Sequence, residues 1–362
     1  MSAHHREDVI LARRSLDREE IAQLNDILQA SGLGRPLGEV VDRTPGISVL
    51  SVSGADPLAI RAIVPELIPD VQHEVATKDY RAAGEKIGHG LQGWLSAPEY
   101  KMPEAPRWHP GGPVVALLDT GVEAHDWLPD PVQGQQFSVE AGWSAYVPIP
   151  SPPLDGDKRD LGTHWGHGTF IAGLIRMAAP HARLLSVRVM SAMGKVSELN
   201  VVSALGWLAD EIDRGRRVDV VLTAFGRRAD AYDPGLADLR TALKKLSDRR
   251  VPVVAAAGNH GSDVPEYPAA FAADPELSVV SVGASEEKSA EHPEPYSNFG
   301  DWVRQWQVGS NIISLMSLPP GYDPADRYAW WSGTSFSAAT YAGAVAQNKV
   351  VEEPIPAPVP GP

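Results

Sequence analysis

The stretch VVALLDTGV, residues 114–122, decides how this chain is read. Five apolar residues, too few for a helix, run into Asp119 and the turn pair Thr120-Gly121. That pattern describes a fully buried strand ending in a carboxylate. Runs of the same kind recur at Arg183–Val189, Val218–Thr223 and Val251–Ala256. Helical stretches lie between them, at His167–Arg176 and, with an amphipathic face, at Ser197–Ile212. Short buried strands spaced by helices predict an α/β domain whose parallel sheet is covered by helices on both faces. Ligands of such folds bind beyond the carboxyl ends of the strands, which is where Asp119 falls.

Composition narrows the function. The chain has 362 residues, 43% of them hydrophobic, enough for a sizeable core and more than one domain. Its formal net charge of −14 argues against nucleic acid as the main partner, because phosphate binding needs clustered Lys and Arg. There is no cysteine, which removes disulfides, a thiol nucleophile and Cys-ligated zinc together. The N-terminal MSAHHREDVILARRSLDREE lacks the apolar core of a signal peptide, and no segment reaches the roughly 20 apolar residues of a membrane span. The expectation is a cytoplasmic protein with no membrane partner.

Ahead of the α/β region, residues 8–77 read as a small α+β unit. Asp8–Ala12 is an apolar run. Ser15 is expected to cap a helix with Ile21, Leu24, Ile27 and Leu28 on one face, stopping near Gly32. Glu39–Arg43 and Ile47–Val52 read as strands joined by Thr44-Pro45-Gly46. Asp56 caps a second helix with Pro57 in its first turn, and Val71–Thr77 is the last strand. The order β-α-β-β-α-β is ferredoxin-like. The expected division is therefore an N-terminal domain at 1–80, a linker at 81–105, the α/β domain at 106–349 and a proline-rich tail at 350–362.

Two further stretches carry chemistry. GHGTFIAGLI, residues 166–175, sets His167 at a helix start among small residues. SGTSFSAATYAG, residues 332–343, does the same for Ser335. Each residue has a plainer reading on its own: a turn aspartate, a surface histidine, a helix-capping serine. DTG also occurs in aspartic proteases, but a second catalytic aspartate motif would then be needed. His164 and His167 could hint at a metal, yet no HExxH pattern or third ligand accompanies them. A carboxylate, an imidazole and a hydroxyl are the orienter, base and nucleophile of acyl transfer.

In the order Asp, His, Ser, the three stretches resemble the subtilisin-like serine proteases, the subtilase family. The resemblance continues in AAAGN (255–259), YPAA (267–270), PYSNFGDWV (295–303) and GSNIIS (309–314), and covers almost all of 106–349. It implies a parallel sheet flanked by helices, with Asp119, His167 and Ser335 as the triad and Asn259 as the side-chain donor to the oxyanion. Ala224-Phe225-Gly226 and Ala256-Ala257-Gly258 would be the substrate-binding strands, with Gly226 leaving room for the P1 side chain. The N-terminal unit has the shape of subtilase propeptides, which implies an intramolecular inhibitor and folding aid whose segment around 77–85 blocks the cleft.

The implied activity is peptide-bond hydrolysis on peptide or protein substrates, needing no cofactor for the chemistry. Calcium is common in the family, but DGDKRD at 155–160 lacks a recognisable calcium-loop pattern, and Asp155, Asp157 and Asp160 read as a solvated loop. Arg227 and Arg228 read as a solvated pair, with a bias of the cleft toward acidic substrates as the alternative. The sequence also departs from the family. Phe336-Ser337-Ala338-Ala339 stands where Met-Ala-Ser/Thr-Pro is usual, and Gln307-Val308 where Ala-Pro is usual. Two other functions stay open: a narrow processing protease for one peptide, and a peptide-binding module that has lost catalysis.

Overall fold

The computed structural model describes residues 5–12, 14–44, 47–74, 95–96, 111–123, 125, 127–128, 133–136, 164–190, 194–229, 233, 235–316 and 327–350. The N-terminal unit runs β1 (His5–Ala12), α1 (Arg18–Ala30), β2 (Leu37–Thr44), β3 (Ile47–Val52), α2 (Pro57–Ile63) and β4 (Leu67–Glu74). Its antiparallel strands lie in the order β2-β3-β1-β4. Alternation along β1 divides its faces. Ile10 and Ala12 join Leu24 and Leu28 of α1 and Ile60 of α2 in one core. Val9 turns the other way and packs with Val49 against Leu199 of the following domain.

Next come β5 (Leu95–Ser96), β6 (Val114–Asp119), β7 (Gln133–Gln136), α3 (His167–Ala178), β8 (Arg183–Arg188), β9 (Lys195–Ser197), α4 (Glu198–Asp213), β10 (Val220–Thr223), β11 (Arg227–Arg228) and α5 (Gly235–Asp248). The chain continues through β12 (Val253–Ala256), β13 (Glu266–Tyr267), β14 (Val279–Ser285), β15 (Gln305–Val308), β16 (Ile312–Leu315), β17 (Tyr328–Trp331) and α6 (Thr334–Val350). Seven strands form one parallel sheet in the order β15-β14-β12-β10-β6-β8-β7. Val114, Ala116 and Leu118 of β6 pack toward α4 and α5. Val115 and Leu117 pack toward α3 and α6. The strand order reverses around β6, with β8 on one side and β10 on the other, so the crevice at its carboxyl end is a switch point.

α3 and α6 cross closely on one face of the sheet. A Cβ added at Gly343 would lie 2.6 Å from Ala178 Cβ and 2.9 Å from Ile175 O. The alanine-rich run Ala338, Ala339, Ala342 and Ala346 is buried at the same face. Small side chains here let both helix N-termini reach the end of β6.

Three expectations are corrected. Asp17, not Ser15, caps α1: its carboxylate accepts from Glu19 and Glu20 N–H, and Glu20 answers in a reciprocal capping box. β4 starts at Leu67 rather than Val71. Pro69 argues against a strand interior, but it sits opposite Ile10, where the β1–β4 register shifts. β2 also starts earlier than expected, at Leu37. The linker 81–105, apart from 95–96, the segment 75–85, the turn residues 45–46, Asp155, Asp157 and Asp160, and the tail from 351 lie outside the described residues. No described helix is long and apolar enough to cross a membrane.

Gly343→Ala tests the helix crossing. Overpacking should cost about 1–3 kcal/mol, read as a lower midpoint in urea denaturation.

Candidate active site

Asp119 is the last residue of β6, His167 the first of α3 and Ser335 the second of α6. The Nδ1–H of His167 donates to Asp119, lying 2.9 Å from each carboxylate oxygen. Both side chains are buried. Thr120 N–H donates to Asp119 Oδ1 at 2.7 Å, and Gly168 N–H donates to Thr120 Oγ1 at 3.1 Å. The strand end and the helix start are thus laced together around the carboxylate. Position 168 has no space for a side chain: an added Cβ would overlap Gly121 O and lie 3.2 Å from Asp119 Oδ1.

Aromatic rings enclose the imidazole. Its centroid is 5.3 Å from Trp331, 5.5 Å from Phe336 and 5.8 Å from His164. His167 Nε2 is buried with no hydrogen-bond partner among the described residues. The Ser335 hydroxyl donates instead to Ala224 O, at 3.0 Å. The Asp–His half of the expected relay is therefore joined, while the Ser335 side chain is turned to the carbonyl that opens the first expected substrate-binding stretch.

Asn259 meets the same helix end from β12. Its Oδ1 accepts from Thr334 N and from Thr334 Oγ1, both at 2.9 Å. That double anchor fixes which end of the amide is oxygen and carries Nδ2 past Gly333, where an added Cβ would lie 3.4 Å away. Thr334 Oγ1 also accepts from Gly258 N–H at 3.1 Å. Gly258 has φ of 104°, a conformation open to glycine. Thr334 N–H is bound to Asn259 and Phe336 N–H to Gly333 O, so the Ser335 amide lies between two occupied donors at the positive end of α6.

This arrangement gathers a carboxylate-oriented imidazole, a hydroxyl and two N–H donors at one edge of a parallel sheet. The subtilase family model matches residues 111–355. The chain belongs to the subtilase family. It is 28% identical over 247 residues to the alkaline protease of Alkalihalobacillus alcalophilus, an alignment covering 66% of this chain and 54% of that protein. Subtilisin Savinase of Lederbergia lenta is also 28% identical over 247 residues, covering 66% and 76%. The chain thus spans little more than half of the first relative's length. Fervidolysin from Fervidobacterium pennivorans, a keratinolytic enzyme related to subtilisin, has a similar fold, with a TM-score of 0.63 at 16% identity over 96% of this chain and 56% of that one.

In this subtilase the two expected substrate stretches leave the ends of neighbouring parallel strands, β10 and β12. The solvated arginine pair is a correction. Arg227 is buried, clamped by both oxygens of Glu198 at 2.6 and 3.0 Å and by Asp233. Burial works to lower its pKa, but the two carboxylates outweigh that and raise it. Arg228 faces Glu266 across the β11–β13 pair.

Sequence reading missed the roles of Thr334 and Asn298. Asn298 Nδ2 donates to Ala257 O at 2.8 Å, and its Oδ1 accepts from His260 and Ser262 N–H, which fixes the loop carrying Asn259. The only signal was their place inside SGTS and SNFG. Among the described residues no group of three or more His, Cys, Asp or Glu is placed to hold a metal ion.

Thr334→Val keeps the shape and removes the hydroxyl half of the Asn259 anchor, leaving the bond from the Thr334 N–H. We expect kcat on a peptide substrate to fall by about 10–100-fold with KM nearly unchanged. An equal rise in KM with kcat unchanged would show that the hydroxyl serves binding instead.

Proposed function

We propose that this subtilase is a serine endopeptidase acting on peptide or protein substrates, with Asp119, His167, Ser335 and Asn259 in the catalytic roles. The observation that carries the reading is the buried Asp119–His167 pair, joined at 2.9 Å beside the N-terminus of the helix that bears Ser335. An extended peptide pairs along Ala224–Gly226 and presents N–H groups to its carbonyls. Competition at Ala224 O releases the Ser335 hydroxyl, and rotation about χ1 turns it to His167 Nε2.

His167 then takes the hydroxyl proton as Ser335 Oγ bonds to the scissile carbonyl carbon. Asp119 holds the tautomer and stabilises the imidazolium. The carbonyl oxygen, now negative, is held by Asn259 Nδ2 and the Ser335 N–H. Collapse breaks the C–N bond, and the amine leaves with the proton from His167. Water, deprotonated by the same imidazole, attacks the acyl-enzyme and returns Ser335 to its free form.

The N-terminal unit is read as a propeptide-type domain that assists folding and occludes the cleft. Its last strand pairs antiparallel with β9, Gln72 opposite Ser197 and Glu74 opposite Lys195, which supports docking on the catalytic domain. The wild-type chain should lose this unit during maturation and a Ser335→Ala chain should keep it, read by intact mass. Full peptidase activity from an unprocessed chain would remove the propeptide role.

One observation favours a second reading: a hydroxyl bound to Ala224 O rather than His167 suits an inert peptide-binding module. Reaction with a fluorophosphonate and peptide mapping separates the two. We expect a single adduct on Ser335, absent in Ser335→Ala, and a loss of about 10⁴-fold in kcat for Asp119→Asn. A chain that stays unlabelled after removal of residues 1–80 would be the binding module. Digestion of casein beside a peptide library distinguishes a broad enzyme from a narrow processing one.

A further inference from the structure

Glu266 lies between the two expected substrate-binding stretches. Its residue is 2% exposed. A Cβ added at Gly258 would overlap Glu266 Oε2 and lie 2.9 Å from Cδ, and a Cβ added at Gly226 would lie 3.8 Å from the same Oε2. The carboxylate therefore fills the floor between Gly226 and Gly258, the two positions where absence of a side chain makes room for a substrate group.

The two oxygens have different surroundings. Oε1 lies 2.6 Å from His260 Nδ1 and 3.5 Å from Arg228 Nε, contacts by distance that are not aligned as hydrogen bonds. Oε2 faces the two glycines, while Oε1 is the buried oxygen with no hydrogen-bond partner among the described residues. A buried carboxylate whose Oε1 has no aligned donor is costly, and a cation that brings a donor to its other oxygen, on the glycine side, offsets that cost. The neighbouring Arg227 is not available, because Glu198 and Asp233 hold it.

We propose that Glu266 is a specificity-determining residue of this subtilase, accepting the terminal N–H donors of a lysine or arginine at P1 and rejecting acidic P1 side chains. The inference rests on the endopeptidase reading above and adds the substrate class. A P1 ammonium or guanidinium entering between Gly226 and Gly258 meets Oε2 in a charge-assisted hydrogen bond. A P1 carboxylate meets like charge in a site where water is scarce, and a large aromatic ring meets a floor that is already filled. Arg228 partly offsets the charge of Glu266 through Oε1, so the preference is set by the balance of the two. The acidic-substrate bias considered from Arg227 and Arg228 alone is reversed, since one arginine is neutralised in the interior and the other leans on this carboxylate.

The experiment is a series of peptides differing only at P1 (Arg, Lys, Leu, Phe, Glu), with kcat/KM measured for the mature enzyme. Wild type should cleave after Arg and Lys about 10–100-fold better than after Leu or Phe, with Glu the poorest. Glu266→Gln keeps the volume and removes the charge, and the Arg-to-Leu ratio should fall by about the same factor. Arg228→Met moves the balance the other way and should raise that ratio, so the test survives if Glu266→Gln fails to fold. A wild-type preference for Phe or Leu, or an Arg-to-Leu ratio unmoved in both variants, overturns the proposal. Fluorophosphonate labelling of Ser335 run on the same samples keeps the two readings apart. Labelled enzyme with an unmoved P1 profile sinks the role of Glu266 alone, and unlabelled enzyme sinks the endopeptidase reading and this one with it.

Discussion

A carboxylate and an imidazole buried together, 2.9 Å apart, are the constraint around which the subtilase-like region is arranged. Neither can be left alone in that place. An isolated buried carboxylate carries a desolvation cost of several kcal/mol, and an imidazole that gains a proton, as the proposed mechanism requires of His167, needs a fixed counter-charge. The sheet supplies the first group at the end of β6, between β10 and β8, and the helix supplies the second at its first residue. The lacing through Thr120 and Gly168 holds them in register. Everything that brings α3 close, from the bare glycine at 168 to the small-residue crossing with α6, serves that one contact.

The same helix crossing sets the place of Ser335. α6 is packed through alanines and Gly343 against α3 and the sheet, so its N-terminus is fixed relative to His167. Thr334 then ties that N-terminus to β12 through Asn259 and Gly258. The elements that carry Ser335, His167 and Asn259, the proposed nucleophile, base and oxyanion donor, are thereby positioned by backbone packing rather than by long side chains. Such preorganisation is what lets hydrogen bonds favour a transition state without reorganising as charge develops.

Much of this was legible in the sequence because it depends on runs and spacings. Continuous apolar segments gave the parallel strands, and small residues around His167 and Ser335 marked helix starts that approach other backbone closely. What was not legible depends on partners distant in the chain. Thr334 looks like any residue in a turn until Asn259 is placed beside it. Glu266 sits in VPEYP, a stretch with no readable periodicity, and only the approach of Gly226 and Gly258 suggests its proposed role. Arg227 reads as exposed because two adjacent arginines usually are, but Glu198, 29 positions earlier, draws it inside. At β4 and α1 the errors were local: Pro69 is accommodated at a register shift, and a capping box at Asp17 outcompetes a serine two residues earlier.

Those long-range partners also join the two halves of the chain. Ser197 is at once the last residue of β9, opposite Gln72 of the N-terminal unit, and the N-cap of α4. The next residue, Glu198, clamps Arg227 with both oxygens. Arg227 directly follows Gly226 of the substrate stretch. The route from the docked strand to the substrate floor is thus two covalent steps and one buried bidentate ion pair. Breaking such a pair by removing one partner costs several kcal/mol, so the link is stiff compared with a surface contact. The N-terminal unit therefore pairs with the segment that leads into α4 and, through Glu198, to Arg227 beside the proposed substrate stretch. Docking and the proposed substrate floor draw on the same few residues, so one segment can serve both parts of the proposed propeptide role.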